Sequence, residues 1–132
     1  MPSQSRIIVQ NKNKFLLLKL ARGNPKYIGR WQLPGGKLDQ KETAKKGAIR
    51  ELFEETGIER EELEKIKMIT DPISFETHIF LTETNSEEIK LSKEHSDYQW
   101  LTYDELKDKK EENISHYDSF QELLLLAKRK SL

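Results

Sequence analysis

Five charged side chains crowd into one short span of this chain. Glu42, Arg50, Glu51, Glu54 and Glu55 follow directly on a Pro34-Gly35-Gly36-Lys37 run. Clustered carboxylates repel one another and raise each other's pKa unless a cation sits among them. Oxygen ligands of this kind suit hard ions such as Mg²⁺ or Mn²⁺ and not a soft-metal site. Arg50 is adjacent to Glu51 and four residues ahead of Glu54, so it can offset part of the charge and hold a carboxylate by paired hydrogen bonds. Glu42 is a second possible partner for it.

These side chains need a turn and a helix to position them. Proline supplies no amide hydrogen and glycine tolerates backbone angles closed to other residues, so Pro34, Gly35 and Gly36 end the run before them in a turn with bare backbone. From Thr43 to Thr56 only Gly47 interrupts a series of mostly good helix formers, and Gly57 stands where helices commonly stop. The expected helix is about 13 residues long. At roughly 100° per residue, Glu51, Glu54 and Glu55 share one arc with Ala44, Gly47 and Ala48, whose small side chains would let the glycine turn approach. Ile49, Leu52 and Phe53 occupy another arc, which can enter a core while the acidic face looks elsewhere. Taken alone, the glutamates also fit an ordinary solvated helix in a chain with 35% charged residues.

The whole pattern is more specific. Gly36, five residues, Glu42, seven residues and then Arg50-Glu51-Leu52-Phe53-Glu54-Glu55-Thr56-Gly57-Ile58 resembles the signature of the Nudix (MutT-like) hydrolases at every position. At ordinary residue usage, its seven fixed positions would coincide by chance at about one start in 10⁸. Trp31, Leu33, Pro34, Gly35 and Lys37 also look like the segment leading into the box. The resemblance implies a single α/β domain over residues 1–132, a mixed β-sheet sandwiched between helices. It further implies that Glu51, Glu54 and Glu55 ligate Mg²⁺ (or Mn²⁺), helped by a backbone carbonyl of Gly35 or Gly36. Arg50 and Glu42 would form a supporting pair, and Lys37 would face a phosphate. Glu94, in a stretch before Trp100 that resembles a downstream loop of small Nudix proteins, is the candidate for a further metal ligand or the base that deprotonates the attacking water.

Elsewhere the pattern is structural. Ile7 to Val9 and Phe15 to Leu18 read as a β-hairpin about a polar turn, and Ala21 to Arg30 as a loop whose Arg22, Lys26, Tyr27 and Arg30 could touch a base or phosphate. Arg60 to Lys67 reads as a charged helical or irregular connection. Ile66 to Ile73 and Thr77 to Thr82 read as strands around a turn at Asp71 to Glu76, with Ile79 and Leu81 alternating against His78 and Phe80. A polar loop over Asn85 to Lys93 precedes a strand at Tyr98 to Leu101. Thr102 to Glu105 has capping-box spacing. Tyr117 to Lys128 is a packing helix through Phe120, Leu123, Leu124 and Ala127, with basic residues at its negative end. His78, His95 and His116 are too scattered for a metal cluster.

Twenty-three basic and 23 acidic residues leave no net charge to attract nucleic acid. There is no cysteine, hence no thiol chemistry, and no apolar run long enough to span a bilayer. A cytoplasmic protein, monomer or homodimer, acting on a small-molecule nucleotide is expected. Lys37 and the short connections favour a nucleoside triphosphate cleaved to monophosphate and pyrophosphate. A dinucleoside polyphosphate, with Phe75 stacking on a base, and ADP-ribose, with Pro72 as its mark, are the competitors. A non-catalytic nucleotide-binding module is the reading from another class, against which the intact Glu51, Glu54 and Glu55 count.

Overall fold

A computed structural model describes residues 2–70 and 75–131. Strands β1 (Ser3–Asn11) and β2 (Lys14–Leu20) form the expected hairpin, followed by short strands β3 (Trp31–Gln32) and β4 (Gly35–Lys37). Helix α1 (Ala44–Thr56) leads to β5 (Glu64–Thr70), β6 (Glu76–Glu83) and β7 (His95–Leu101). Helix α2 (Tyr103–Lys107), a single 3-10 turn at Glu111–Asn113 and helix α3 (Tyr117–Lys130) complete the chain. The strands join in one mixed sheet of order β3-β2-β1-β6-β5, with β4 also paired to β1 and β7 to β2.

The long apolar strands are buried on both faces, which explains why β1 and β2 read as continuous hydrophobic runs. Ile7, Val9, Leu16, Leu18 and Phe80 pack with Ala48 and Leu52 of α1. Ile8, Phe15, Leu17, Ile79 and Leu81 pack on the other side with Leu106, Phe120, Leu123 and Ala127. The sheet is thus sandwiched between α1 and the α2–α3 layer. The alternation in β6 sorts residues between two buried faces, Ile79 and Leu81 toward the α2–α3 layer and Phe80 toward α1.

One feature of the sheet positions the glycine turn. β1 meets β2 only at Gln10 and Asn11. Beyond that the two strands diverge, and residues 31–37 fill the wedge: β3 pairs with Leu18 and Lys19, while β4 pairs with Gln4 to Arg6. The Pro-Gly-Gly run is therefore not a bare turn as expected, because the open edge of β1 takes up its backbone. At Gly35 (φ 143°) a Cβ would collide with the Ser5 carbonyl oxygen, so the close approach itself requires glycine.

Local signals set the helix ends, at Gly57 and at Thr102–Glu105 as expected. Thr43 caps α1 by accepting from the Lys46 amide, and Gly57 ends it at φ 77°. Thr102 and Glu105 close a capping box on α2. Three expectations are corrected. Phe53 is 50% exposed, and the buried side of α1 runs through Gly47, Ala48, Leu52, Glu55 and Thr56. The helix rests on the sheet through Ala48 and Leu52, and Glu55, not Phe53, turns inward because the glycine strand offers it an amide. Strand β5 begins at Glu64, inside the stretch expected to be a connection; as an edge strand it tolerates charge on its exposed positions. β7 begins at His95, three residues before the expected strand. The expected turn from Asp71, with Pro72, lies largely outside the described residues.

Candidate functional site

The first shared feature of the site is the contact between α1 and β4. Gly47 lets the chain before the helix approach, since a Cβ there would strike Leu38 Cδ2 and come within 2.8 Å of Glu42 Oε1. Glu42 then reaches Arg50. Arg50 Nε donates to Glu42 Oε2 at 2.8 Å and Nη2 to Glu42 Oε1 at 2.9 Å, a bidentate pair. This hydrogen bond holds the Glu42 carboxyl down to about 2 and raises the Arg50 guanidinium further above its already high value. Arg50 Nη1 donates to Glu51 Oε1 at 3.1 Å and to both Glu54 oxygens at 3.2 and 3.1 Å.

At the other end of the helix the electrostatics reverse. Glu55 is 3% exposed, and its Oε1 accepts from the Gly35 amide at 2.8 Å. Burial pushes its carboxyl up to about 8, against the pull of that hydrogen bond and of the Arg6 charge; the charges of Glu51 and Glu94 push the same way as burial. Burial also raises Glu51, with Arg50 opposing and Glu54 and Glu94 adding to it. A Cβ on Gly36 would lie 2.9 Å from Glu51 Oε1, so this glycine makes room for the carboxylate. The ladder also sorts the two candidate carbonyls. Ile7 N donates to Pro34 O and Leu38 N to Ser3 O, so by the two-residue alternation of an antiparallel pair Gly36 belongs to the ladder and the Gly35 carbonyl stays outside it.

The carboxylates of Glu51, Glu54 and Glu55 sit on one helix, yet among the described residues no three acidic or histidine side chains are drawn together as a ready-made metal cage. Arg50 spans Glu51 and Glu54 as their counter-charge, while Glu55 is turned to Gly35. Glu94 is exposed just before β7, its carbonyl tied to the Ala21 amide at 2.7 Å, and its charge reaches both Glu51 and Glu55. Lys37 is exposed at the end of β4, Arg22 is exposed in the loop after β2, and Phe75 is half-buried ahead of β6. Among the described residues no hydrogen bond or ion pair links the side chains of these three to the carboxylates.

The NUDIX domain model matches residues 2–123. The chain belongs to the Nudix hydrolase family. It is therefore a hydrolase of acid anhydrides in phosphorus-containing compounds, a family that works with divalent metal ions. Its sequence is 30% identical over 140 residues to Nucleoside triphosphatase NudI of Escherichia coli O139:H28 (strain E24377A / ETEC), covering 95% of this chain and 89% of that protein. The fold is shared with the MutT protein of Methanosarcina mazei Go1 (TM-score 0.80, 24% identity, 98% of this chain and 94% of that one). It is shared too with a bifunctional NMN adenylyltransferase/ADP ribose pyrophosphatase of Francisella tularensis complexed with AMP and a Mn ion (TM-score 0.78, 22% identity, 97% of this chain and 41% of that one).

Around this Nudix helix lie polar residues that the sequence analysis did not assign to the site. Arg6 and Gln4 on β1 are buried, and so are Gln32 and His95, whose Nε2 atoms meet at 3.1 Å. Burial, then the Arg6 charge, lowers His95 to about 4, so its ring is neutral at pH 7. The only signal for Arg6 and Gln4 was polarity just ahead of an apolar run, which ordinarily marks a strand end in water. Among the described residues no helix is long and apolar enough to cross a membrane.

Proposed function

We propose that this chain is a Mg²⁺-dependent pyrophosphohydrolase that cleaves a nucleoside or deoxynucleoside triphosphate to the monophosphate and pyrophosphate. The observation that carries the reading is the meeting of Glu51 and Glu55 with Gly35 and Gly36. A buried acid lifted to about 8, a second carboxylate seated against a glycine and a carbonyl outside the ladder make an all-oxygen donor set short of positive charge. Such a set fits a hard divalent cation, Mg²⁺ or Mn²⁺. Glu51, Glu54, Glu55 and the Gly35 carbonyl would hold it, with Gly36 supplying space rather than a ligand.

A cation there supplies charge neutralisation to the phosphate oxygens and acidifies a water. The chain does the rest. Glu94, exposed and within electrostatic reach of both inner carboxylates, takes the proton of the attacking water; Glu51 is the less suited base because Arg50 Nη1 already binds it. The water oxygen bonds to phosphorus as the bridging P–O bond breaks and pyrophosphate leaves. Arg50, locked by both oxygens of Glu42, orients Glu51 and Glu54. Lys37 and Arg22 meet phosphates, and Phe75 stacks on the base. The similarity to a nucleoside triphosphatase supports a triphosphate over a dinucleoside polyphosphate or ADP-ribose. The proposed setting is the cytoplasm, with free nucleotides as substrates.

The test is product identification by ³¹P NMR across a panel of nucleoside triphosphates, a dinucleoside tetraphosphate and ADP-ribose in Mg²⁺. Monophosphate and pyrophosphate from triphosphates are expected. Preferred turnover of either competitor overturns the substrate, and nucleotide binding without any turnover overturns the enzymatic reading.

A further inference from the structure

Each residue entering the glycine strand is tied to a partner outside it. Trp31 O accepts from Ser115 N at 2.8 Å, Gln32 meets His95, Leu33 O accepts from Arg6 Nη1 at 2.9 Å, Pro34 O accepts from Ile7 N at 2.8 Å and Gly35 N donates to Glu55. Four of these anchors are what any close-packed strand offers or belong to the helix already described. Arg6 is different. It is 4% exposed, and no carboxylate makes an ion pair with it among the described residues. Burying a guanidinium without an ionic partner is unfavourable even when it is hydrogen-bonded, so packing alone is a poor reason for it.

Its remaining contacts fix its orientation. Arg6 Nη2 donates to Gln4 Oε1 at 3.1 Å and lies 3.0 Å from His116 Nε2. Arginine can only donate, so His116 Nε2 accepts and the imidazole is neutral in this contact. His116 stands at φ 57°, a region disfavoured for side-chain-bearing residues, and its side chain does not cap α3; the ring turns in to Arg6 instead. The fork is thus held by β1 on one side and the start of α3 on another, and it holds the carbonyl two residues ahead of Gly35.

We propose that Arg6 is a positioning residue for hydrolysis: by fixing the Leu33 carbonyl it sets the place of Gly35 and Gly36 against Glu51 and Glu55, touching neither cation nor phosphate itself. The proposal rests on the cation site of the proposed function. An amide proton of Gly35 that exchanges slowly because the strand is clamped is its direct physical consequence.

The test compares Arg6→Lys, Arg6→Met and His116→Ala with wild type. Lysine keeps the charge but lacks the fork. In Arg6→Lys and Arg6→Met, kcat is expected to fall about tenfold to a hundredfold and half-saturation by Mg²⁺ to rise by a similar factor, the range for residues that orient metal ligands. KM for the triphosphate at saturating metal is expected to stay within about twofold. His116→Ala is expected to shift the same quantities less. In metal-free protein, Gly35 and Gly36 amide exchange in Arg6→Lys should quicken while Ile8 and Leu17 keep their protection. A lowered Tm with unchanged kcat, Mg²⁺ half-saturation and Gly35 exchange would make Arg6 merely structural and overturn the proposal. If Arg6→Met does not fold, Arg6→Lys and His116→Ala decide. If wild type hydrolyses nothing, the functional reading has failed, and the Gly35 exchange and Mn²⁺ affinity of wild type against Arg6→Lys still decide the role of Arg6.

Discussion

The two ends of α1 treat a carboxylate in opposite ways. Near its start, Glu42 lies in the fork of Arg50 and is held down to about 2; near its end, Glu55 is sealed against Gly35 and lifted to about 8. Glu42 has a permanent counter-charge from its own chain, whereas Glu55 has one amide and a distant buried cation. The outer pair is built to stay ionised and hold the helix in register with the chain before it. The inner carboxylate is left short of positive charge, as a site for a divalent ion must be if the ion is to bind tightly. One motif thus divides into a clamp and, in the proposed function, a receptor.

The largest expected effect falls on the receptor. Glu54→Gln and Glu51→Gln should each lower kcat by about a thousandfold, the scale of losing a charge-stabilising group, with an unchanged circular dichroism spectrum. Steady-state rates in saturating Mg²⁺ check this, and a wild-type rate would break the division.

Stability against pH sharpens the contrast because the two ends carry opposite signs. In the metal-free protein Glu55 keeps its proton up to about 8, while in the unfolded chain it loses it near the ordinary 4.5. Between those values the native state binds the extra proton, so its contribution to stability falls as pH rises through the window. Glu42 runs the other way: its contribution is present above 4.5 and is lost as pH falls toward about 2. Chemical denaturation from pH 3 to 9 should show both arms. Glu55→Gln, which keeps an acceptor for the Gly35 amide, should flatten only the arm between 4.5 and about 8, and Glu42→Gln only the arm below 4.5.

Smaller effects are expected at the clamp itself. Glu42→Gln should cost about 1.5–3 kcal/mol, the range for hydrogen bonds to a charged group, measured by urea unfolding at neutral pH. Gly47→Ala should cost about 1–3 kcal/mol, as overpacking does, because the new methyl group meets Leu38 and Glu42. If Gly47→Ala were neutral, the close approach that seats Glu42 would be softer than its geometry indicates.

What was legible beforehand follows the range of the interactions. The Gly57 stop, the Thr102–Glu105 capping box and the face of α3 through Phe120, Leu123 and Ala127 are local patterns that the sequence carries by itself. The box residues were legible because their spacing is rigid along one turn and one helix. Phe53 and Glu55 were misplaced because the amphipathic arc of α1 is weak, and which side faces inward depends on an amide supplied by Gly35, twenty residues away. Arg6, Gln4, Gln32 and His95 could not be assigned to the site from sequence, since their burial is created by pairing between strands distant in sequence and polar residues ordinarily mark a surface. Lys37, Arg22 and Phe75 lie on exposed or half-buried positions whose bearing on substrate needs the nucleotide itself.

The most direct measurement of the receptor is a Mn²⁺ titration at pH 7.5 followed by electron paramagnetic resonance, comparing wild type with Glu51→Gln, Glu55→Gln and Glu42→Gln. The expected result is saturable binding to wild type, weakened by about ten- to a hundredfold in Glu51→Gln and Glu55→Gln and changed much less in Glu42→Gln. Equal affinity in all four proteins, or loss in Glu42→Gln alone, would contradict the assignment of the inner carboxylates as the cation site.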